Sequence, residues 1–460
     1  VLRRLDPDGV LLDGSIDGRA EPAPLDRSLV ERLLHDMARA RVFDRAALKL
    51  ARRGRIKGYY PSIGQEALAA LAPGLEASDM VFPAYREQPL RLAMGITPAQ
   101  ELAMWAGAAG APWDPMAARC MPANTSIGAH VPHAVGWAQA QRRLGSSGVA
   151  VAVFGDGATS EGDVHAAMTL AGVWRSPVVL VCQNNQYAQT TSLAQQTAAP
   201  TLAAKAAGYG IPGVRVDGMD PLAVHDAFIE AAARARSGGG ATFLELVTYR
   251  FAGHSSFEVA PAYRGRDEEA RWRALDPLRR TAALLTAMGG DPAAVVREAE
   301  SGMTTVLDGA LAALDHGALP TLDDVVAWSR PVVDALPTVP LDAEGATPVA
   351  AVAAGLHERM AADDRVVVLG EDVVTSGGIW GATTGLADAF GDRVVDTPLT
   401  EQGIVGAAVG MALAGLHRPH GGRPTACASS PVRGSQRWPP HRPDGRPHAR
   451  RCGAWRLRRP

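Results

Sequence analysis

A carboxylate stands between two glycines in "GDGATSEGD" (155–163), directly after the apolar run Val149 to Phe154. About thirty residues later a second apolar run ends in "CQNNQYA" (182–188). Asp156 brings a carboxylate and Asn185 a side-chain amide, both hard oxygen donors, and the backbone carbonyl of Tyr187 can add a third. With two oxygens of a diphosphate and a water they complete the octahedral shell that magnesium demands. Gly155 and Gly157 let the backbone approach phosphate closely. Either stretch alone is more often a plain turn or loop; the two together, each after a strand-like run, point to a metal-diphosphate site.

Such a site needs strands to carry it. Short β-rich runs at "GVAVAVF" (148–154), "SPVVLVC" (176–182) and "ATFLELVTY" (241–249) alternate with helical text such as Ser160 to Trp174. That alternation predicts an α/β fold, a doubly wound parallel sheet with flanking helices. Ligands of such sheets bind beyond the carboxyl ends of the strands, where Asp156 and Asn184-Asn185 fall. An amphipathic helix is predicted from an N-cap at Asp26 to a stop at Gly54. After about residue 320 the chain turns proline-rich, a composition suited to a tether. A helix at "ATPVAAVAAGLHERMAADD" (346–364) and a strand at "RVVVLGED" (365–372) then open a second α/β unit. The expected division is an N-terminal extension (1–25), a first domain (26–325), a Pro-rich linker (326–346), a partial second domain (347–416) and a basic tail (417–460).

At about 150 residues per domain the length suggests two or three units. Hydrophobic residues make up 47% and charged residues 20%, with a formal net charge of -2, which suits a globular body rather than a polyelectrolyte binder. Cys120, Cys182, Cys427 and Cys452 are scattered without a CxxC pair, so a reducing cytoplasm is expected rather than a disulfide framework or zinc site. The first residues lack a secretory pattern, and no apolar run reaches membrane-spanning length. Neither nucleic acid nor a membrane is the expected partner. The tail from His417 is rich in arginine, without lysine and with Asp444 as its one acid. It reads as a basic arm or as a disordered or out-of-frame terminus; the abrupt break of the apolar pattern in mid-domain favours the second.

The stretch "FGDGATSEGDVHAAMTLAGVWRSPVVLVCQNNQYA" (154–188) resembles the thiamine diphosphate motif of the dehydrogenase component of branched-chain 2-oxo acid and pyruvate dehydrogenase complexes. The resemblance spans residues 30 to 330 as the α part of that component and 347 to 416 as the beginning of its β part, joined in one chain. It implies a thiamine diphosphate-binding fold with thiamine diphosphate and Mg2+ as cofactors. Asp156, Asn185 and Tyr187 would be the metal ligands, with Gly155, Gly157 and Ala158 beside the diphosphate. In "DMVFPAYREQPLRLAMG", Tyr85 and Arg86 match the place where the family's arginine holds the diphosphate, a role that suits a bidentate guanidinium. In "NTSIGAHVPHAVG", Ser126 and Ile127 match the loop that supports the bent cofactor. In "TYRFAGHSS", His254 matches a histidine facing the cofactor, and Ser255 the serine phosphorylated in mitochondrial relatives. In "DTPLTEQGIVG", Glu401 matches the glutamate that bonds the aminopyrimidine and activates the cofactor.

The implied reaction is oxidative decarboxylation of a 2-oxo acid, with acyl transfer to the lipoyl group of a partner acyltransferase. Branched-chain 3-methyl-2-oxobutanoate is favoured, with pyruvate or acetoin as the alternative; a catalytically inactive cofactor-binding subunit is a third reading. A homodimer, or assembly with a complete β part, is expected. Three departures stand out. Gln183 sits where some relatives carry arginine, removing one diphosphate contact. "SSFEVAPAYR" has Glu258 but lacks the acidic cluster common in relatives. The β part is shorter than the family's, which predicts poor solubility or dependence on another chain.

Overall fold

The computed structural model describes residues 1–12, 25–107, 113–258, 263–316, 347–378, 380–416 and 428–429. Its centre is a parallel five-stranded sheet: β1 (Met80–Pro83), β2 (Ala150–Gly155), β3 (Val178–Asn184), β6 (Gly213–Asp217) and β7 (Thr242–Val247), in the order β1-β2-β3-β7-β6. Between β3 and β6 the pair β4 (Tyr187–Ala188) and β5 (Thr191–Ser192) forms a small antiparallel hairpin. The expected parallel α/β fold is present.

Side chains alternate along each strand, and both sets are buried. Val151, Val153, Val179, Val181, Leu244 and Leu246 belong to a core that includes Val30, Leu33, Leu34 and Met37 of the helix Arg27–Arg52. Ala150, Ala152, Phe154, Val178, Leu180 and Phe243 face the opposite core, with Val131, Val135, Ala167 and Leu170 from the helices His130–Arg143 and Gly162–Trp174. A sheet covered by helices on both faces explains why its strands read as continuous apolar runs rather than alternating ones. Asp26 caps the first helix as predicted, its carboxylate accepting from the Ser28 N–H at 2.9 Å.

Two strands of the central sheet were not predicted. β1 is four residues ending in proline, and β6 is five residues beginning with glycine, so neither carries a long β-branched run. The edge strand β6 is covered by the chain's first residues: Leu2 bridges Val216, Leu2 and Leu5 are buried, and Arg280 ion-pairs with Asp217 at 3.1 Å. The described part of the N-terminal extension is thus packed on the domain and blunts an open edge.

The Pro-rich linker lies outside the described residues. The second unit has the helix Pro348–Ala362, capped by Thr347, and a small sheet of β8 (Val368–Gly370), β9 (Val394–Asp396) and β10 (Ala428–Ser429), in the order β10-β8-β9. Apart from Ala428 and Ser429, the basic tail lies outside the described residues. Those two residues pair in parallel with Leu369 and Gly370, a departure from the structureless tail expected. The helix Glu401–Leu413 packs on His130–Arg143 at backbone contact. A Cβ on Gly136 would lie 2.0 Å from the Ala407 carbonyl oxygen, and one on Gly410 1.9 Å from that of His133. Only glycine permits this approach.

Candidate active site

Sheet register brings the motif segments together. Gly155 is paired with Gln183, Asn184 with Val247, and Pro83 with Val153. The chain leaving β1, β2, β3 and β7 therefore emerges at one edge, and a cavity of about 300 Å³ opens there. Ten of the twelve predicted site residues line it: Tyr85, Arg86, Ile127, Gly155, Asp156, Gly157, Ala158, Asn185, Tyr187 and His254. The other two do not. Ser126 is exposed, its N–H bonded to Asn124 Oδ1 at 2.8 Å, and Glu401 is exposed at the start of its helix. Its neighbour Gln402 approaches the rim: a Cβ on Gly162, next to the lining residue Glu161, would lie 4.0 Å from Gln402 Oε1.

The GDG turn is held from behind. Asp156 is 1% exposed, and burial raises its carboxyl above the ordinary aspartate range, opposed by the Gln196 Nε2 bond at 2.7 Å and by the Asn185 backbone. Gly157 packs against the hairpin: a Cβ there would meet Ala188 Cβ at 2.8 Å. Lys205 Nζ donates to the Thr159 carbonyl and to Oγ1 at 3.1 Å each, and Thr159 Oγ1 donates to the Asp156 carbonyl at 2.8 Å. Gln186 and Gln189 take left-handed conformations, φ 75° and 56°, which bend the hairpin back toward this turn at some cost in strain.

The two asparagines divide the work. Asn184 turns inward, donating to Glu245 Oε1 at 2.8 Å, while its carbonyl accepts from the Thr248 N–H. Asn185 faces the cavity; its Nδ2 donates to Gln65 Oε1, and its Oδ1 accepts from the Tyr187 N–H and from Arg250 Nε, all at 3.3 Å. Among the described residues no group of three or more His, Cys, Asp or Glu is placed to hold a metal ion. The donors at this edge are instead one carboxylate, one amide oxygen and a backbone carbonyl. Such an all-oxygen set suits a hard divalent cation that shares its shell with phosphate oxygens.

Positive charge also lines the cavity. Arg86 is buried, and its guanidinium donates to the Pro61 carbonyl at 2.5 Å and to the His254 carbonyl at 3.0 Å, with no carboxylate partner among the described residues. Burial and the neighbouring Arg86 and Arg250 drive His254 down to about 3, so it is neutral near pH 7. Glu258 fastens the His254 loop, accepting from the His254 N–H at 2.7 Å and from Tyr263 Oη at 3.3 Å. Ser256 adds a second tie through the Tyr59 backbone. A cavity lined by both an unneutralised guanidinium and a hard-oxygen set fits a metal-bound diphosphate.

Several cavity residues escaped the sequence. Gln65 Nε2 donates to Gln183 Oε1 at 2.8 Å, and Gln183 Nε2 donates to Glu87 Oε1 at 3.0 Å. Burial pushes Glu87 up to about 7, opposed by Arg91 and Arg86. His130, whose Nε2 lies 2.9 Å from the Val153 carbonyl, also lines the cavity and is lowered to about 4 by burial. One signal was available. Gln65 precedes the apolar run Ala67–Leu71, where a polar group that packs inward must find a partner.

The profile of the Dehydrogenase E1 component family matches residues 35–314, and that of the Transketolase, pyrimidine binding domain family matches residues 346–422. The 3-methyl-2-oxobutanoate dehydrogenase subunit alpha of Mycobacterium tuberculosis is 43% identical over 254 residues, 55% of this chain and 69% of that protein. The pyruvate dehydrogenase E1 component subunit alpha of Staphylococcus epidermidis is 36% identical over 287 residues, 62% of this chain and 76% of that protein. Its counterpart from Staphylococcus aureus is 38% identical over 261 residues, 56% and 70% respectively. The α/β cavity, its motif-bearing strand ends and these matches lead to one conclusion: the chain belongs to the dehydrogenase E1 component family of thiamine diphosphate-dependent 2-oxo acid dehydrogenases and carries a transketolase-type pyrimidine-binding domain in the same polypeptide.

Proposed function

We propose that the chain binds thiamine diphosphate with Mg2+ and carries out the oxidative decarboxylation of a branched-chain 2-oxo acid, 3-methyl-2-oxobutanoate. The observation that carries this reading is that the buried Asp156, Asn185 at the strand ends and the buried Arg86 line one cavity. When bound, the thiazolium ring supplies the electron sink that a 2-oxo acid needs to lose carbon dioxide. Asp156, the Asn185 amide oxygen and the Tyr187 carbonyl would hold the metal. Gly155, Gly157 and Ala158 give the diphosphate close access to backbone, and Arg86 neutralises it. His254, neutral near pH 7, can donate one hydrogen bond to the diphosphate or to substrate. Ile127 and its neighbour Ser126 would support the ring system, with Tyr85 on the facing wall. Glu401 would hold a proton against the aminopyrimidine ring nitrogen, which requires its exposed carboxylate to turn toward the rim.

The 43% identity to a 3-methyl-2-oxobutanoate dehydrogenase subunit favours the branched-chain substrate, and pyruvate or acetoin is the second choice. The acyl group would pass to the lipoyl group of a partner acyltransferase, with a homodimer or a complete β part as the assembly. Buried, unbridged Cys120 and Cys182 support a reducing, cytoplasmic setting; no helix among the described residues is long and apolar enough to cross a membrane. A cofactor-binding chain without catalysis is a second reading, favoured by Glu401 standing outside the cavity wall. Decarboxylation of 3-methyl-2-oxobutanoate and of pyruvate with an artificial electron acceptor, thiamine diphosphate and Mg2+ distinguishes the two. The reading expects turnover of the branched-chain acid, abolished in Glu401→Gln. Cofactor binding without turnover of either acid would leave the inactive reading standing.

A further inference from the structure

Asp44 lies on the helix Arg27–Arg52, outside the cavity wall, and is fully buried without an ion pair among the described residues. Its Oδ1 accepts from Tyr59 Oη, and its Oδ2 accepts from the Ser62 N–H at 2.9 Å and from Ser62 Oγ at 2.6 Å. Tyr59 and Ser62 are fully buried as well. Burial pushes the Asp44 carboxyl up to about 7, opposed by the bonds from Ser62 and Tyr59. An acid enclosed without a cation is costly, and an apolar side chain of similar volume would pack there at less expense. What the carboxyl does that an apolar group would not is hold both ends of one short segment.

Tyr59 to Ser62 belong to no helix or strand, so no ladder of backbone bonds fixes them. Their other side carries cavity residues. The Pro61 carbonyl accepts from Arg86 Nη1 at 2.5 Å, and the Tyr60 carbonyl accepts from Gln88 Nε2 at 3.1 Å. The Tyr60 ring lies 4.6 Å from that of Tyr85 and 5.3 Å from that of His254, centroid to centroid. Tyr59 meets the His254 loop through its backbone, its N–H donating to Ser256 Oγ at 3.1 Å and its carbonyl accepting from the Ser256 N–H at 2.7 Å. Tyr85, Arg86 and His254 all line the cavity. Four residues of irregular chain thus stand between a buried acid and three groups of the site.

We propose that Asp44 is a positioning residue of the active site, acting through the strap Tyr59–Ser62 on Arg86 and His254, an inference that rests on the function proposed above. With the strap pinned at both ends, the Pro61 carbonyl and the Tyr60 ring hold the Arg86 guanidinium and the His254 loop in place before a ligand arrives. Groups ordered in advance lose less freedom when an anion binds.

The test combines hydrogen exchange of the ligand-free chain with calorimetric titration of thiamine diphosphate and Mg2+ into wild type, Asp44→Ala, Arg86→Lys and the double variant. Asp44→Ala is expected to speed exchange at 59–65 and 253–258 while the amides of β2 and β3 exchange as in wild type. It is also expected to weaken thiamine diphosphate binding about tenfold, a usual coupling within one hydrogen-bonded network. In the Arg86→Lys background the same substitution is expected to cost less than about threefold, because the group it positions is already displaced. Should Asp44→Ala not fold by circular dichroism, Asp44→Asn, which keeps one acceptor oxygen, takes its place in both arms with smaller shifts of the same sense. Faster exchange spread over the whole sheet, losses that simply add in the double variant, or unchanged affinity overturns the inference. A wild-type chain that takes up no thiamine diphosphate overturns the cofactor reading instead, and the exchange pattern then decides alone whether Asp44 holds the strap.

Discussion

Glu87 and His254 lie on the same cavity and titrate in opposite senses. Burial raises Glu87 from 4.5 to about 7, so the folded chain holds that proton more tightly than the unfolded chain. Its contribution to stability is full below about pH 4.5 and is lost as pH rises through about 7. Glu87→Gln should therefore flatten the fall in denaturation free energy across that window, by at most about 1.4 kcal/mol per pH unit; an unchanged slope would show that Glu87 is not the buried acid. His254, lowered to about 3, works the other way, with stability gained as pH rises toward 6.5. The asparagines should separate as well. Asn185→Ala should cost cofactor affinity, whereas Asn184→Ala should cost about 1–3 kcal/mol of stability by removing the donor to buried Glu245 Oε1, with affinity little changed. Isothermal titration beside urea denaturation of both variants checks this. The sequence exposes Asp156 and Asn185 because glycine and asparagine break apolar strands. Gln65 and Glu87 stay hidden because their bonds to Gln183 span 118 and 96 residues.

The elements that deliver these residues differ in how plainly the sequence declares them. β2, β3 and β7 carry runs of valine and leucine bounded by polar turns, and the helix Arg27–Arg52 has both its cap and its periodicity in plain text. β1 and β6 exist because neighbours pair with them, not because four or five residues demand it. Packing between units is likewise set by tertiary contact. Gly136 and Gly410 look like helix-weakening residues, yet they let His130–Arg143 and Glu401–Leu413 touch backbone to backbone. Gly410→Ala should push the helices apart and cost about 1–3 kcal/mol, as overpacking does. Because Glu401 begins the second helix, the same variant should lower decarboxylation more than it lowers cofactor affinity. Limited proteolysis cutting faster between 347 and 416 than between 26 and 316 would report the loosened contact; equal protection would refute it.

Across the molecule, the second unit leaves apolar surface uncovered. Val405, Val409 and Leu413 recur at four-residue spacing on one helix with 51%, 38% and 36% exposure, and Trp380 and Leu399 are 76% and 72% exposed. Contiguous exposed apolar surface marks association. Light scattering behind gel filtration should show a second copy bound at micromolar concentration, and Val405→Lys with Val409→Lys should shift the equilibrium to monomer. A wild-type chain that stays monomeric would count against this. The domain order could be read from the proline-rich break and the return of α/β text; the backbone-close packing of the second unit's helix on the first could not, since it depends on glycine contacts that carry no signature alone.

The most direct test of the account is a titration of thiamine diphosphate with Mg2+ into the wild-type chain and Asp156→Ala, followed by equilibrium dialysis of both. The account predicts saturable, Mg2+-dependent uptake by the wild type and a loss in Asp156→Ala of about a hundredfold or more, above the usual cost of removing an outer-shell partner. Uptake that ignores Mg2+ or survives Asp156→Ala intact would contradict it.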